Sequence, residues 1–351
     1  MYEYLKKILF LLDPESAHNL AEFILKNSSF VCPFLLSNYA KKHFVTDKIL
    51  HQNIHGIDYI NPVGLAAGFD KNATMIRALS SLGFAHIEYG TLTPKPQNGN
   101  PKPRLFRYPQ FNSLQNAMGF NNDGMEKISK RVQKIYPFST PLGANIGKNK
   151  VTPLENALDD YAVLIDRFKN LADYITINIS SPNTKGLRDL QNNDFVKSVF
   201  KMGTSKTNKP IFLKIAPDMP IEMALDISTT ALKSGAKGII ATNTTTQYSL
   251  LPNAKDFGGI SGEVLKEKSR NFFKKIAKEL FGKITLISVG GIDSSEEAYK
   301  RIKAGASLVQ IYSSFIFKGP KVLQEINLGI IELLKKDGFT HISEAIGADL
   351  R

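Results

Sequence analysis

Residues 174–184 read Tyr-Ile-Thr-Ile-Asn-Ile-Ser-Ser-Pro-Asn-Thr. The change from apolar, β-branched residues to polar ones within this stretch decides the fold. The β-branched run at 174–177 predicts a buried strand, and the polar residues after it predict a loop at the strand's carboxyl end. Two carboxamides around a serine can hold a planar ligand by its amide edges, while the hydroxyl moves a proton. The alternative is an ordinary polar turn, because loops are built from the same residues.

Seven further apolar segments repeat this pattern. The eight strand candidates are residues 63–67, 86–89, 142–146, 174–177, 211–215, 238–241, 285–289 and 307–311. Helical patterns lie between them, for example at 154–168, 222–233, 263–280 and 296–304. Eight strand–helix units within about 280 residues predict an α/β protein with a (β/α)8 TIM barrel. A doubly wound sheet is the alternative, but no G-x-G-x-x-G motif follows the first strand.

The first 60 residues depart from this repeat. Residues 3–12 predict a short apolar helix, and Asp13 with Pro14 predict the N-cap and first position of a second helix. We expect residues 1–36 to form a two-helix extension, 37–48 a linker, and 49–351 the barrel domain, which a hairpin at 49–60 begins. The two helices either pack on the barrel or rest an apolar face in a lipid surface. Periodicity alone favours packing.

Composition narrows the classes of partner. The formal net charge of +13 is compatible with nucleic acid, an anionic membrane surface or anionic small ligands. The basic residues are scattered and no nucleic-acid-binding motif is present, so we expect no nucleic-acid partner. Cys32 is the sole cysteine and the six histidines form no H-E-x-x-H motif, so we expect no disulfide and no metal site. No segment approaches the length of a membrane span, so we expect a protein that is soluble or lies on a membrane.

The ends of barrel strands converge on one face, so the residues there predict the site. Lys214 is flanked by apolar residues and should need a nearby anion, unless it extends to water. Val289-Gly290-Gly291 and Tyr312-Ser313-Ser314 predict a phosphate site after the last two strands, to which 258–262 could add backbone donors. A phosphate site and a buried cation beside carboxamides and a serine suit a flavin held by its phosphate.

The sequence at this point closely resembles dihydroorotate dehydrogenases of the quinone-dependent class. The matching motifs are spread over essentially the whole chain: Asp13–His18, Asn61–Lys71, Gly90–Pro94, Pro103–Arg107, Asn116–Asn122, Asn145–Asn149, Asn178–Arg188, Ala241–Thr245, Gly258–Gly262 and Ala304–Ser313.

The resemblance implies oxidation of (S)-dihydroorotate to orotate in de novo pyrimidine biosynthesis, with FMN as carrier and a membrane quinone as acceptor. Ser181 would be the base that removes the C5 proton while hydride passes from C6 to flavin N5. The implied substrate contacts are Lys71, Asn116, Ala117, Met118, Gly119, Phe120, Asn178, Asn183, Asn243 and Thr244. The implied FMN contacts are Ala67, Gly68, Phe69, Asp70, Lys71, Thr91, Asn145, Asn178, Lys214, Thr242, Gly262, Gly291, Tyr312 and Ser313.

Two features imply the quinone-dependent class. Position 181 is Ser, where the similar soluble class has Cys, and the N-terminal helical pair is an element that the soluble class lacks. The resemblance therefore reverses the preference for simple packing. It implies that the helices form a quinone tunnel, with His18, Arg107 and Tyr312 as candidate contacts, and rest on the cytoplasmic side of the cell membrane. Charges within residues 1–60 cancel, so attachment must rest mainly on apolar burial or on a basic face of the barrel.

Two other functions stay open from the residues alone. Another FMN barrel, such as a 2-hydroxy-acid oxidase, would require a histidine base, and we find none at a strand end. A phosphate-binding barrel isomerase without redox function would share the phosphate site. Neither the quinone nor the oligomeric state follows from the sequence.

Overall fold

The computed structural model describes residues 2–351. The strands in chain order are β1 Gln52–Ile54, β2 Ile57–Tyr59, β3 Val63–Leu65, β4 Ile87–Leu92, β5 Leu105–Tyr108, β6 Ser113–Asn116, β7 Leu142–Ile146, β8 Tyr174–Asn178, β9 Ile211–Ile215, β10 Gly238–Ala241, β11 Gly259–Gly262, β12 Thr285–Val289 and β13 Leu308–Ile311. The helices are α1 Tyr2–Leu9, α2 Pro14–Val31, α3 Pro33–His43, α4 Ile76–Ser81, α5 Gly124–Gln133, α6 Ala157–Phe168, α7 Asn193–Lys206, α8 Ile221–Lys233, α9 Lys266–Leu280, α10 Ser295–Lys303, α11 Ser313–Lys318, α12 Lys321–Lys336 and α13 Ile342–Ala345.

Eight strands close a parallel barrel in the order β3, β4, β7, β8, β9, β10, β12 and β13, and β13 pairs back with β3. The predicted (β/α)8 barrel is confirmed, and the doubly wound alternative is wrong because the sheet has no open edge. Strands β7, β9, β10 and β12 have the predicted bounds, whereas β4 continues three residues further, to Leu92. The strands are mostly apolar on both faces because side chains inside the barrel pack on one another and those outside pack on the helices; Glu88, Lys214 and Gln310 are buried polar exceptions.

The predicted hairpin is also confirmed. Strands β1 and β2 pair antiparallel, with Gln52 opposite Tyr59. The hairpin covers the amino end of the barrel, where Gln52 Nε2 donates to the carbonyl of Ser307 at 2.9 Å. Tyr59 is buried edge-on against His86, with ring centroids 5.6 Å apart. This end of the barrel is closed, so the site has to lie at the carboxyl end.

A three-stranded antiparallel sheet of β5, β6 and β11, in the order β11-β6-β5, lies beside the carboxyl end of the barrel. Sequence periodicity did not predict it. Each strand has four residues, and β5 is only half-buried along its whole length, so no alternation of apolar and polar residues marks it. This sheet forms one wall of the cleft described below.

The N-terminal extension contains α1, α2 and a third helix, α3, in addition to the predicted pair. Asp13 caps α2 as predicted, since its Oδ1 accepts from the backbone N–H groups of Glu15 and Ser16. Residues 37–43, which we expected in a linker, lie within α3. None of the residues of α3 is fully buried, so its sequence carries no clear apolar stripe from which a helix could be predicted. Within residues 2–351 no single helix is long and apolar enough for a membrane span; α2 and α3 meet that measure only as a pair, bent by 100°.

Candidate active site

A chain of buried amides and hydroxyls crosses the carboxyl ends of β4, β7 and β8. Thr91 Oγ1 donates to Asn145 Oδ1 at 2.5 Å, and Asn178 Nδ2 donates to both Thr91 Oγ1 and Asn145 Oδ1 at 3.0 Å. Asn145 Nδ2 donates in turn to Glu88 Oε1 at 2.6 Å. Glu88 also lies 4.0 Å from Lys214 Nζ, so it supplies the anion that this buried lysine was expected to need. Burial lowers the pKa of Lys214, and the Glu88 carboxylate opposes that shift.

The loop after β8 presents Ser181 to the cleft. The Ser181 Oγ accepts a hydrogen bond from the backbone N–H of Asn183 at 3.2 Å, which fixes the hydroxyl and would stabilise negative charge on it. The carboxamide of Asn183 donates to Asn116 Oδ1 at 3.0 Å, while its own Oδ1 is buried without a protein partner. Asn243 Nδ2 donates to Ser180 Oγ at 3.0 Å. Polar groups of three loops therefore converge on residues 180–183.

Lys71 and His18 meet on the side of the cleft that faces α2. Burial lowers the pKa of Lys71 to about 8, although the carboxylates of Glu22 and Glu15 oppose the shift. Burial, together with the charge of Lys71, lowers the pKa of His18 to about 3, so the imidazole is neutral near pH 7. The His18 ring lies edge-on to Phe69, with centroids 5.3 Å apart. This side of the cleft thus places a cation beside a neutral imidazole, with the carboxylates of Glu15 and Glu22 also in the wall.

Backbone and hydroxyl groups converge after the last two barrel strands. Ser313 Oγ and Ser261 Oγ are 3.0 Å apart. A Cβ atom at Gly291 would come within 2.4 Å of the Lys266 Cα, so a glycine is required there. Lys266 Nζ is held by Asp293 Oδ2 at 2.9 Å. The glycine thus lets the turn after β12 pack on the start of α9, and a tight turn and a helix start after the last two strands are typical of a barrel phosphate site.

Most of the predicted site residues line one cleft, which is open to solvent. Of the predicted FMN contacts, Ala67, Gly68, Lys71, Thr91, Asn178, Lys214, Thr242, Gly262, Gly291, Tyr312 and Ser313 line it. Of the predicted substrate contacts, Lys71, Asn116, Met118, Gly119, Phe120, Asn178, Asn183, Asn243 and Thr244 line it.

Four predicted residues lie behind the cleft wall. Asn145 is buried beneath Thr91 and Asn178. The carboxylate of Asp70 accepts from the backbone N–H groups of Thr74 and Met75, so it holds its own turn. Phe69 faces a second cavity, and Ala117 is engaged through its backbone, whose N–H donates to the carbonyl of Arg104 at 2.7 Å. These four side chains act on the cleft through their neighbours or through main-chain groups.

The second cavity lies beneath α1 and α2 and is almost entirely apolar. The three residues predicted to contact a quinone, His18, Arg107 and Tyr312, all line it. The Arg107 guanidinium lies 4.0 Å from the centroid of the Phe10 ring. Burial raises the pKa of Tyr312 to about 12, so its hydroxyl keeps its proton. The cavity shares four wall residues with the polar cleft: His18, Leu105, Leu114 and Tyr312.

Sequence reasoning missed several residues that build the site. Glu88 and Gln310 lie in strands that were assigned only to the core, and Gln310 Nε2 donates to Glu88 Oε2 at 3.0 Å. A glutamate inside an otherwise apolar strand was a usable signal, because a buried carboxylate needs a partner. Arg188 was noted as part of a motif, and its Nε donates to the carbonyl of Ser180 at 3.1 Å. Nothing in the sequence indicated that contact.

The fold and the cleft define a (β/α)8-barrel enzyme whose polar site adjoins an apolar cavity. The family model for dihydroorotate dehydrogenase matches residues 49–334, and the chain belongs to this family of oxidoreductases. It is 60% identical over 350 residues to the dihydroorotate dehydrogenase (quinone) of a Nitratiruptor species, covering 100% of this chain and 99% of that protein. Identity is also 60%, over 348 residues, to the dihydroorotate dehydrogenase (quinone) of a Sulfurovum species, covering 99% of this chain and 98% of that protein.

Solved structures agree with this assignment. The ligand-free DHODH from Eimeria tenella superposes with a TM-score of 0.87 at 36% sequence identity, covering 97% of this chain and 100% of that chain. The DHODH of the same organism in complex with ferulenol gives a TM-score of 0.85 at 36% identity, covering 97% of this chain and 96% of that chain. The resemblance noted from the sequence motifs is confirmed.

Proposed function

We propose that this protein oxidises (S)-dihydroorotate to orotate in pyrimidine biosynthesis, holds FMN in the barrel cleft and delivers the electrons to a membrane quinone. The observation that carries the proposal is the shared wall of the two cavities. A polar cleft suited to substrate and flavin meets an apolar cavity at His18, Leu105, Leu114 and Tyr312. Two ligands of opposite polarity can then approach one bound cofactor from different sides.

The residues present fit FMN. The turn at Gly290 and Gly291, which lines the cleft, the hydroxyls of Ser261 and Ser313 and the start of α11 suit its phosphate. Lys214 suits a ring that gathers negative charge on reduction, because it is a buried cation whose one carboxylate neighbour is 4.0 Å away. FMN, when bound, would supply the acceptor for the hydride from C6 of the substrate and the donor of electrons to the quinone.

The chain's own residues supply binding and proton transfer. Lys71 would hold the substrate carboxylate, and the carboxamides of Asn116, Asn183 and Asn243 would hold the amide edges of its ring. The Ser181 Oγ would take the C5 proton as its own hydroxyl proton passes to solvent, and the N–H of Asn183, which donates to that oxygen at 3.2 Å, would stabilise the negative charge on the oxygen during the transfer. Ser181 is only 6% exposed, which limits the access of water to the reacting atoms.

The helical extension would serve the quinone. An isoprenoid quinone matches the apolar cavity beneath α1 and α2, with His18, Arg107 and Tyr312 as its polar contacts. Twelve of the nineteen large apolar side chains that are exposed within residues 2–351 lie in the first 35 residues. Such a concentration is typical of a surface that meets another apolar phase. We therefore assign the protein to the cytoplasmic side of the cell membrane, attached peripherally through these helices.

The 2-hydroxy-acid oxidase alternative finds no support in the cleft. His18 is the single histidine among the described residues that line it, and this histidine lies on α2 rather than at a strand end. A phosphate-binding isomerase without redox function would have no use for the adjoining apolar cavity.

The test is the anaerobic visible spectrum of the purified protein. We expect dihydroorotate to bleach a flavin band and a short-chain quinone to restore it, whereas fumarate and NAD leave the bleached band unchanged. A protein without a flavin band, or a band that dihydroorotate leaves intact, would overturn the proposal. Restoration by fumarate or NAD would overturn the choice of acceptor alone.

A further inference from the structure

A buried ion pair ties the first turn of α2 to the loops of the polar cleft. The Glu15 carboxylate accepts from Arg104 Nη2 at 2.7 Å and from Arg104 Nε at 3.2 Å, and both side chains are buried. Burial would raise the pKa of Glu15, but the hydrogen bonds and charges of Arg104 and of the more exposed Lys102, whose Nζ lies 3.3 Å from Glu15 Oε1, outweigh that effect and lower it. A two-point contact between a guanidinium and a carboxylate fixes orientation as well as distance.

Arg104 passes this constraint to the turn at residues 98–100. Its Nη1 donates to the carbonyl oxygens of Asn98 and Asn100, the latter at 2.8 Å. Its own carbonyl accepts from the N–H of Ala117 at 2.7 Å. This one residue, directly before β5, therefore holds α2, the 98–100 turn and the segment that carries the predicted substrate contacts 116–120 in a single arrangement.

The carboxamide of Asn100 completes the path to the catalytic loop. Its Nδ2 donates to the carbonyl of Ala117 at 3.0 Å and to the carbonyl of Asn183 at 2.9 Å. Asn183 donates from its backbone N–H to Ser181 Oγ at 3.2 Å and from its carboxamide to Asn116 Oδ1 at 3.0 Å. An unbroken series of hydrogen bonds thus runs from a helix of the extension to the proposed base.

The energetics argue against a purely stabilising role for the pair. Desolvating two charges costs about as much as their attraction returns, so a buried ion pair is weak evidence for stability. It is better suited to fixing geometry. Displacing a reacting group by about 1 Å can cost on the order of 10² in rate. Contacts that hold the Ser181 loop in place are therefore expected to affect the rate of the reaction directly.

We propose that Glu15 and Arg104 are positioning residues for dihydroorotate oxidation, so that α2 orders the substrate side of the cleft as well as lining the quinone cavity. The proposal rests on the function proposed above and extends it. Helix α2 contributes Glu15, Asn19 and Glu22 to the polar cleft and Ala17, Ala21 and Ile24 to the apolar cavity. The extension therefore acts on both half-reactions.

The test separates those half-reactions in the full-length, FMN-loaded protein. The variants are Glu15→Gln and Arg104→Lys, which keep size or charge but remove the two-point contact. The control is Glu3→Gln, which removes an exposed carboxylate of the same extension whose partner is Lys6. Stopped-flow absorbance follows flavin reduction by dihydroorotate and, separately, reoxidation of the reduced protein by a short-chain quinone. Titration of the oxidised protein with orotate, followed by the flavin spectrum, gives the dissociation constant of the product.

We expect both variants to slow flavin reduction, to raise the dissociation constant of orotate, or to do both, by about tenfold, which corresponds to the energy of one strong contact. Reoxidation by the short-chain quinone should stay within about twofold of wild type, as should every constant of Glu3→Gln. The double variant Glu15→Gln with Arg104→Lys should lose less than the sum of its single variants, because the two side chains act as one unit.

Unchanged reduction and unchanged orotate binding in both variants would overturn the inference. So would an equal loss in both half-reactions that parallels the thermal stability of the variants, because that pattern reports general loosening. Wild-type protein that dihydroorotate does not reduce would instead overturn the proposed function, so the two failures are distinguishable.

Discussion

Lys214 Nζ lies 4.0 Å from Glu88 Oε1, and both side chains are buried at the carboxyl end of the barrel. Glu88 also accepts from Asn145 at 2.6 Å and from Gln310 at 3.0 Å. The carboxylate therefore has two tasks: it compensates the charge of Lys214 and it orients the carboxamide of Asn145. Through Asn145 it also orients Thr91, so one carboxylate orders much of the proposed flavin wall.

Glu88→Gln should destabilise the protein. The substitution leaves the Lys214 charge buried without a counter-charge, and breaking such a pair typically costs about 3–5 kcal/mol. Urea unfolding at pH 7 measures the loss. In the double variant with Lys214→Met the loss should be smaller than in Glu88→Gln alone, because no uncompensated charge remains. A Glu88→Gln protein as stable as wild type would contradict the assignment of this pair.

Ser181→Ala should slow flavin reduction by on the order of 10² to 10⁴, since general-base catalysis contributes about that much. The orotate dissociation constant should change little, because the binding carboxamides remain. Ser181→Cys should recover part of the rate and shift its pH dependence to lower pH, as a thiol loses its proton near pH ~8.5. Anaerobic stopped-flow measurement of flavin reduction decides this, and an unchanged rate in Ser181→Ala would exclude Ser181 as the base.

The barrel was predictable because local sequence specifies its repeating part. Each strand is a run of apolar, largely β-branched residues, and the polar residues after β8 mark the place where a strand ends and a site begins. The carboxyl ends of parallel strands meet, so Lys214 and Asn178 could be assigned to one cleft without coordinates. Because the geometry of the barrel is regular, the positions of the strands in the sequence are enough to predict which residues lie together.

The contacts that complete the site could not be predicted in this way. The partner of Lys214 lies on β4, which β7 and β8 separate from β9 in the sheet, and only the curvature of the closed barrel brings the two side chains within reach of each other. The link from Glu15 to Arg104 joins a helix of the extension to the residue before β5, and no periodicity specifies how those two segments meet. Pairings between distant, irregular segments depend on tertiary packing, which a single sequence does not display.

Binding of orotate should weaken above about pH 8. Burial lowers the pKa of Lys71 to about 8, so the amine carries its charge below that pH and loses it above. An anionic ligand binds the protonated form, so its dissociation constant should be constant below about pH 8 and rise up to about tenfold per pH unit above it. Calorimetric titration between about pH 6.5 and 9.5 measures this, and Lys71→Met should bind weakly with a flat profile.

The same pKa shift affects stability in the opposite direction. Between about pH 8 and the ordinary lysine pKa of 10.5 the unfolded chain keeps a proton that folded Lys71 has lost. The contribution of Lys71 to the free energy of unfolding therefore rises with pH in this window. Wild type should gain stability relative to Lys71→Met over that range. If Lys71 is responsible, orotate binding weakens with pH while the stability of wild type relative to Lys71→Met rises. General alkaline unfolding would instead lower both the affinity for orotate and the stability.

Filling the apolar cavity should impair only the quinone half-reaction. Ala21 lines that cavity but not the polar cleft. Ala21→Phe adds a ring where a quinone would pass, so reoxidation by a long-chain quinone should slow by at least about tenfold, the effect of one poorly accommodated group. Flavin reduction by dihydroorotate should match wild type, and Ala21→Ser should behave as wild type in both. Equal quinone kinetics in Ala21→Phe and wild type would show that the acceptor uses another route.

The exposed aromatic side chains of the extension should mediate membrane attachment. Phe23, Phe30 and Phe34 are 66%, 76% and 71% exposed. Burying a phenylalanine in an apolar phase contributes about 1.5–3 kcal/mol, so changing all three to serine should weaken binding to phospholipid vesicles by at least on the order of 10². Activity with a short-chain quinone should persist, while activity with a long-chain quinone in vesicles should be lost.

A matched control carries the same number of exposed apolar changes on the barrel helices: Val163→Ser, Met223→Ser and Leu328→Ser, all three of which are exposed in wild type. This control should float with vesicles as wild type does. Salt distinguishes the two modes of attachment, because charge attraction is screened within about 3 Å at 1 M salt whereas apolar burial is not. Attachment through the extension predicts wild-type flotation that resists salt and requires the phenylalanines. Flotation that salt abolishes and that the triple phenylalanine variant retains would assign the contact to the basic barrel instead.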